Sequence, residues 1–160
     1  MLFLNFERAP DFTMKNSQKI TRIRLEALQY EGAILFGIVS HEPDYKLSLA
    51  LNQKIGISLK HGEPIIVNDD SGHEHSFSRF ATPSTSPDEV VYTLASNRSG
   101  TFFMLKKLKN IDYLFHINNS YSAELESEIS AILRETESVN AVFPIDIKTF
   151  NDKNISYLIQ

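Results

Sequence analysis

Two histidines on either side of one glutamate are the nearest approach to a metal site in this sequence. His73 and His75 flank Glu74. Alternate residues of a strand point to one face, so the two imidazoles could bind one ion such as zinc. Three more candidate ligands lie nearby along the chain: Asp69, Asp70 and His61. None of these three follows at a spacing known for metal sites, so a solvated polar loop is the ordinary interpretation and a ligand- or metal-binding enzyme is the alternative.

Three lysines form a second candidate site. Lys106, Lys107 and Lys109 are interleaved with two leucines. A basic patch of this kind can bind a phosphate or an acidic partner. The whole chain has a formal net charge of -4, so a general nucleic-acid footprint is not indicated, and a nucleic-acid accessory role through these lysines stays an alternative only. The ordinary interpretation is a solvated turn.

Two further pairs of residues combine polar groups with predicted secondary structure. Asp112 and Tyr113 are adjacent on a predicted strand, so they are expected to face opposite sides of it. We expect Tyr113 to be buried with its hydroxyl bound to a partner, and Asp112 to accept hydrogen bonds from the backbone or a lysine. Tyr45 and Asn52 lie about two turns apart on a predicted helix and share a face, which favours helix capping or a tertiary hydrogen bond. A structural role is preferred to catalysis for both pairs.

Several classes of chemistry are excluded by what the sequence lacks. Cysteine is absent, so there is no disulfide bond, thiolate nucleophile or cysteine-based zinc site. The sequence also has no Gly-rich phosphate loop, Gly-x-Ser-x-Gly elbow or His-Glu-x-x-His pair. We therefore assign no catalytic, cofactor-binding or metal-binding residue. No window approaches the roughly 18 consecutive apolar residues of a membrane span, and the apolar start at residues 1–4 is too short for a signal peptide. The absence of cysteine suits a reducing compartment.

The last third of the chain has the clearest structural pattern. A strand with one apolar face and one partly covered face is predicted from four alternating residues: Ile111, Tyr113, Phe115 and Ile117. An amphipathic helix follows, with apolar residues at helical spacing: Leu125, Ile129, Ile132 and Leu133. A second strand is predicted from Val139 to Ile147, and Pro144 either places it near a sheet edge or ends it there. This order predicts a parallel βαβ unit with a right-handed crossover.

Before this unit, the sequence predicts one covered strand and one helix. Residues 33–39 are apolar on both faces, as in a central strand, and Gly37 indicates a close backbone approach or a bulge. Ser40 and Pro43 are predicted to open the helix and Gly56 to end it. The apolar residues of this helix recur at a spacing of four: Leu47, Leu51 and Ile55.

The middle of the chain is typical of a meander of short strands. The predicted strands cover residues 57–59, 65–67, 77–81, 90–95 and 101–105, with a hairpin turn at 97–100. At the N-terminus, residues 20–27 fit a half-exposed strand, with a helix as the competing interpretation. We expect residues 1–18 to be a tail outside a single domain formed by 19–160, with Met14 as an alternative start that would leave residues 1–13 poorly packed.

Several segments resemble one known family. Leu105 followed by Ile111-Asp112-Tyr113 resembles the second half of the signature that names the IPExxxVDY family, uncharacterised proteins of Bacteroidetes. Other similar segments, within a likeness from about Lys19 to the C-terminus, are Asp44-Tyr45-Lys46-Leu47, Leu51-Asn52 and Leu94-Ala95-Ser96-Asn97. The chain departs from the signature where Leu105-Lys106-Lys107 replaces Ile-Pro-Glu. The family has no established activity, so the resemblance implies a bacterial cytoplasmic setting and no catalytic residues.

Together these patterns predict an α+β fold: a single domain with a mainly antiparallel or mixed sheet, two principal helices and a C-terminal βαβ unit. The predicted function is that of a small cytoplasmic interaction or accessory domain with a protein partner, without enzymatic activity, cofactor or membrane association. The candidate interaction or motif residues are Tyr45, Asn52, Lys106, Lys107, Asp112 and Tyr113.

Overall fold

A six-stranded antiparallel sheet carries the fold in the computed structural model, which describes residues 31–118 and 122–159. The strands are β1 (Ile34–Val39), β2 (Lys60–His61), β3 (Ile65–Asn68), β4 (Glu74–Phe77), β5 (Arg79–Ala81), β6 (Tyr92–Ser96), β7 (Arg98–Ser99), β8 (Phe102–Phe103), β9 (Tyr113–Ile117) and β10 (Ala141–Ile145). The helices are α1 (Asp44–Leu51), continued by a π-helical segment (Asn52–Gly56), then α2 (Ala123–Glu135), a 3-10 turn (Lys153–Ile155) and α3 (Ser156–Ile159).

The strand order of the main sheet is β10-β1-β9-β6-β5-β2, and every pairing in it is antiparallel. Two short hairpins, β3–β4 and β7–β8, form separate two-stranded sheets. The predicted α+β class with a mainly antiparallel sheet is therefore confirmed.

The C-terminal strand–helix–strand unit is present, with another strand inserted in it. β9 and β10 both pair antiparallel to β1, so they run parallel to each other on opposite sides of it. Ile38 of β1, for example, lies between Tyr113 and Val142. The parallel direction of the predicted βαβ unit is therefore confirmed, but its two strands do not pair with each other, because β1 lies between them. This position suits β1, because its side chains are apolar on both faces and a central strand is covered on both faces.

Both principal helices pack on one face of the main sheet. Phe36 and Phe115 are adjacent across β1 and β9 and are completely buried there. α1 contributes Leu47 and Leu51 to this core, and α2 contributes Ile129 and Leu133, as their helical spacing predicts. Burial of each such side chain stabilises the fold by about 1.5–3 kcal/mol.

The two helices begin in different ways. The hydroxyl of Ser122 caps α2 by accepting from the backbone N–H of Leu125 at 3.0 Å. The predicted cap of α1 is wrong, since the Ser40 hydroxyl accepts from the Glu42 N–H at 3.2 Å and donates to the Ser138 carbonyl at 2.5 Å. The predicted role of Pro43 is confirmed, because it directly precedes α1 and its carbonyl accepts from the N–H groups of Lys46 and Leu47, each at 3.1 Å.

The opposite face of the sheet is also buried in its centre. Leu114 and His116, on the face of β9 predicted to be partly covered, are 0% and 3% exposed. Ile111 packs against Gly37 so closely that a Cβ there would lie 2.9 Å from the Ile111 Cδ1 atom. The predicted close approach at Gly37 is confirmed, because a larger residue there would require the Ile111 side chain to move.

Strand boundaries in the middle of the chain differ from the sequence pattern. The strand predicted at residues 57–59 lies instead at 60–61, and the one predicted at 77–81 is divided between β4 and β5, which belong to different sheets. The predicted 97–100 turn is shifted, because the β7–β8 hairpin turns at Gly100, whose φ is 59°. Pro144 lies in β10, an edge strand of the described sheet, as its missing N–H predicts.

Predictions for the N-terminus lie outside the described residues. They are the tail at 1–18, the alternative start at Met14, and the strand or helix at 20–27. The compact unit that contains the sheet runs from Gly32 to Gln160. Among the described residues, no helix has the length and apolar character needed to cross a membrane.

The buried His116 predicts a specific pH dependence of stability. Burial lowers the pKa of His116 from 6.5 to about 4, and its Nε2 atom has no hydrogen-bond partner. Between pH 6.5 and 4 the His116 imidazole is protonated in the unfolded chain but neutral in the folded one. The free energy of unfolding therefore falls by about 3 kcal/mol as the pH is lowered through this range. Above pH 6.5 the imidazole is neutral in both states, so His116 causes no further change in stability. Urea unfolding of a His116→Leu variant at several pH values should show this loss removed.

The exposed His41 provides the matched control. A His41→Leu variant should keep the pH dependence of the parent. Equal slopes of unfolding free energy against pH in the parent and the His116→Leu variant would contradict a neutral, buried His116.

Candidate functional site

The loop between β8 and β9, residues 104–112, is held by one buried side chain and is called the lysine loop below. Asn97 is 0% exposed. Its Oδ1 accepts from the Leu105 N–H at 2.9 Å, and its Nδ2 donates to the carbonyls of Leu108 and Ile111 at 2.9 and 3.0 Å. These bonds satisfy three backbone groups that have no strand partner, so an irregular loop keeps a fixed shape.

Three further hydrogen bonds fix the two ends of the lysine loop. The Met104 N–H donates to the Asn97 carbonyl at 2.8 Å, and the Asn97 N–H donates to the Asp112 carbonyl at 2.8 Å. Asn154, just before α3, donates from Nδ2 to the Met104 carbonyl at 2.7 Å. The first two residues of the loop, Met104 and Leu105, are completely buried, whereas its three lysines are exposed to solvent.

The lysines make contacts that leave their charges exposed. Lys106 Nζ lies 3.9 Å from Asp70 Oδ2 and 5.5 Å from the centre of the Phe102 ring. Lys107 donates to the Asn151 carbonyl at 2.9 Å, with its Nζ 5.8 Å from the Phe150 ring centre. Ion pairs as exposed as Lys106–Asp70 contribute little to stability, so they can be exchanged for a partner's carboxylates at small cost.

The predicted histidine cluster is organised around Asp69. Its Oδ2 lies 3.0 Å from His75 Nε2 and 3.6 Å from His73 Nδ1. Its Oδ1 accepts from the backbone N–H groups of Ser71 and His73, each at 2.9 Å. The hydrogen bond from His75 is the main cause, followed by that from His73, of a lowered pKa of about 2 for Asp69.

The other two predicted ligands lie elsewhere. His61 packs edge-to-face on Phe80, with ring centres 5.2 Å apart, and Asp70 faces Lys106 and Lys153. Within residues 31–118 and 122–159, no group of three or more His, Cys, Asp or Glu side chains could hold a metal ion. The β3–β4 turn is therefore a carboxylate–imidazole cluster closed by its own hydrogen bonds.

The histidine cluster and the lysine loop are neighbours in space. His75 stacks on Phe102 with ring centres 3.9 Å apart and planes inclined by 9°. Lys106 lies over the same Phe102 ring and also faces Asp70 of the β3–β4 turn. The two sites predicted separately from the sequence therefore form one continuous surface, with Phe102 between them.

Asp112 and Tyr113 both bind the connection between β1 and α1. Asp112 Oδ2 accepts from the Ser40 N–H at 3.1 Å, while its Oδ1 lies 3.6 Å from Arg98 Nη2. The Tyr113 hydroxyl donates to the Glu42 carbonyl at 2.7 Å. Burial, with the charges of nearby carboxylates, raises the pKa of Tyr113 to about 12. The buried tyrosine with a bound hydroxyl is confirmed, and the pair fixes the β1–α1 connection.

Tyr45 and Asn52 have separate roles. Asn52 is half-buried, and its side chain forms two hydrogen bonds with the backbone of Leu59, at 2.7 and 3.2 Å. Tyr45 is 55% exposed on α1. The tertiary hydrogen bond expected at this pair is thus made by Asn52, and it closes the turn after the π-helical segment.

Asn97, Asn154 and Phe102 were not identified as site residues from the sequence. Asn97 lies in a segment with turn chemistry, where asparagine is normally exposed. The sequence offered one indication of such a residue: the segment after β8 has neither a strand nor a helix period. The backbone of a loop of this kind needs side chains as hydrogen-bond partners where it is buried.

The fold and this surface define a small α+β domain with a preorganised basic loop. The chain matches no protein-family model and no curated protein.

Replacement of Asn97 should destabilise the whole domain. Asn97→Ala leaves the Leu105 N–H and the Leu108 and Ile111 carbonyls without their partner, and each buried unsatisfied group costs about 1–3 kcal/mol. We expect a loss of about 3 kcal/mol or more in chemical denaturation. Asn110→Ala, at an exposed position of the same loop, should change stability by no more than about 0.5 kcal/mol. Equal stability of the two variants would show that apolar contacts alone hold the loop.

Tyr113 should contribute through both its ring and its hydroxyl. Tyr113→Phe removes the bond to the Glu42 carbonyl and should cost about 1 kcal/mol, whereas Tyr113→Ala should cost about 3 kcal/mol or more. Tyr45→Ala is the exposed control, with an expected change within about 0.5 kcal/mol. A melting temperature of Tyr113→Ala equal to that of Tyr45→Ala would contradict a buried Tyr113.

Proposed function

We propose that this protein is a non-enzymatic interaction or accessory domain of the cytoplasm that binds an acidic protein partner through the lysine loop. The observation that carries the proposal is the fixed backbone of this loop, which is hydrogen-bonded to the fully buried Asn97. A loop held in this way presents Lys106, Lys107 and Lys109 on a backbone that is already ordered, so binding has to order only their side chains.

The surroundings of the lysines also support a protein partner. Phe102 is half-buried beside Lys106, and Arg98 lies 5.1 Å from the centre of the neighbouring Phe103 ring. Aromatic residues and arginine are enriched at protein interfaces. A cluster of cations beside aromatic rings therefore suits a surface with carboxylates around an apolar centre.

The resemblance to the IPExxxVDY family is part of the same proposal. Asp112 and Tyr113 bind the backbone of the β1–α1 connection at the end of the lysine loop. Such contacts support a structural role for the Asp-Tyr part of that signature. Lys106 and Lys107 replace the proline and glutamate of that signature. We propose that the replacement makes the loop of this chain basic and changes the charge of the partner that it selects.

Charge reversal of the lysine loop tests the proposal. Protein captured from the native cytoplasm on the parent chain should fall by at least about tenfold on a variant carrying Lys106→Glu and Lys107→Glu, because two attractive contacts become repulsive. The matched control carries Lys54→Glu and Lys60→Glu, two exposed lysines outside the loop, and should retain the partner. Quantitative mass spectrometry of the captured proteins and melting temperatures of all three chains are the measurements.

Three results would contradict the proposal. They are equal capture by the two variants, loss of a nucleic acid instead of an acidic protein, and a rise in melting temperature with added zinc that is removed by His75→Ala. The last result would favour the histidine cluster as a ligand site, because a bound ligand stabilises the folded state.

A further inference from the structure

We propose that an apolar groove beside the lysine loop receives a bulky apolar side chain from an acidic segment of the partner. The inference rests on the proposed function and names the chemistry of the segment: carboxylates around one aromatic or leucine residue.

The groove lies between the lysine loop, β10 and the segment after β10. It has a volume of about 390 Å³, and its apolar walls include Leu108, Ile111, Phe143, Ile145 and Phe150. An engineered cavity of about 150 Å³ holds a benzene ring. The groove therefore has room for one large side chain together with the backbone that carries it.

Phe143 marks the groove as a surface available for contact. Its side chain is 52% exposed although it belongs to a strand of the main sheet. Contiguous apolar surface is typical of interaction sites, and Phe143 is part of the apolar wall of this groove. An inserted side chain would cover part of this ring and remove apolar area from water.

The groove and the lysines are parts of one surface, which is the argument for an acidic occupant. Leu108 lines the groove, and its neighbours in the chain are Lys107 and Lys109. The Phe150 ring also lines it, with Lys107 Nζ 5.8 Å from the ring centre. A side chain in the groove would thus bring the residues flanking it to the ammonium groups, where carboxylates are favoured.

The one carboxylate that lines the groove supports the proposal that the partner side chain inside it is uncharged. Asp146 contributes to the lining, and its Oδ1 accepts from the Lys148 N–H at 3.0 Å. An acidic side chain placed in the groove itself would face Asp146. The acidic residues of the partner are therefore expected outside the groove, with an apolar residue inside it.

Pro144 argues against recognition by an added strand alone. β10 is an edge of the described sheet, but Pro144 offers no N–H to a neighbouring strand. A peptide along β10 would lack one bond of a regular ladder. Affinity must then come from the groove and the lysines, so the side chains of the segment decide recognition.

The test uses defined peptides and the whole chain. Fluorescence anisotropy would compare a fluorescein-labelled peptide of Glu and Asp with a central Phe against the same peptide with a central Ser. The Phe peptide should bind at least about tenfold more tightly, because burial of a large apolar side chain is the difference between them. Phe143→Asp should abolish this preference. Leu49→Asp should preserve it, because Leu49 is 59% exposed on α1 and lies outside the groove.

The outcomes separate this inference from the proposed function. Equal binding of the two peptides, lost in the Lys106→Glu and Lys107→Glu variant, would overturn the groove and leave the lysine loop as the acidic site. Failure of both peptides to bind the parent would overturn both. A dimer in light scattering that Phe143→Asp dissociates would also overturn the inference, since the groove would then hold a second copy of the chain. The peptide series requires no change in the protein, so it decides the question even if Phe143→Asp lowers stability.

Discussion

The hydrogen bonds of one buried amide determine the shape of the surface on which the proposed function depends. Residues 104–112 belong to no helix or strand that would pair their backbone N–H and C=O groups. Any of these groups that is buried without a hydrogen-bond partner would destabilise the fold. Asn97 supplies one acceptor and two donors, and Asn154 supplies another donor to Met104. The loop can therefore be irregular in conformation while the backbone groups that these two side chains bind remain hydrogen-bonded. This fixed conformation holds Met104 and Leu105 inside and leaves the lysines outside.

The end of the same loop is joined to the helix-bearing side of the fold. Asp112 binds the backbone of Ser40, and Tyr113 binds the carbonyl of Glu42, so the start of β9 holds the exit from β1. Ser40 in turn donates to Ser138, just before β10. Three segments distant in sequence thus meet at one end of the central strands. This network gives Asp112 and Tyr113 a structural role, since their loss would loosen the sheet, the first helix and the lysine loop together.

Local pattern predicted the elements better than their partners. The alternation through Phe115, the apolar run of β1 and the stripe of α2 each reflect burial on a known side, and burial has a period that sequence displays. The position of β1 between β9 and β10 depends on pairing between residues that are 75 to 110 positions apart in the chain, for which no local pattern exists. For the same reason the spatial proximity of the histidines and lysines could not be predicted. Asn97 was missed because a buried asparagine and a turn asparagine have the same local sequence.

The proposed surface combines two interactions with different ranges. Charges on Lys106 and Lys107 act over about 8 Å at physiological salt, so they attract an acidic segment before contact and mainly raise its association rate. The groove beside Phe143 acts only on contact, where removal of apolar area from water slows dissociation. Salt should therefore weaken binding through the first interaction and leave the second. The whole chain has a net charge of -4, which by itself would repel acidic partners at long range. The proposed selectivity therefore depends on the local grouping of the lysines and not on the charge of the whole chain.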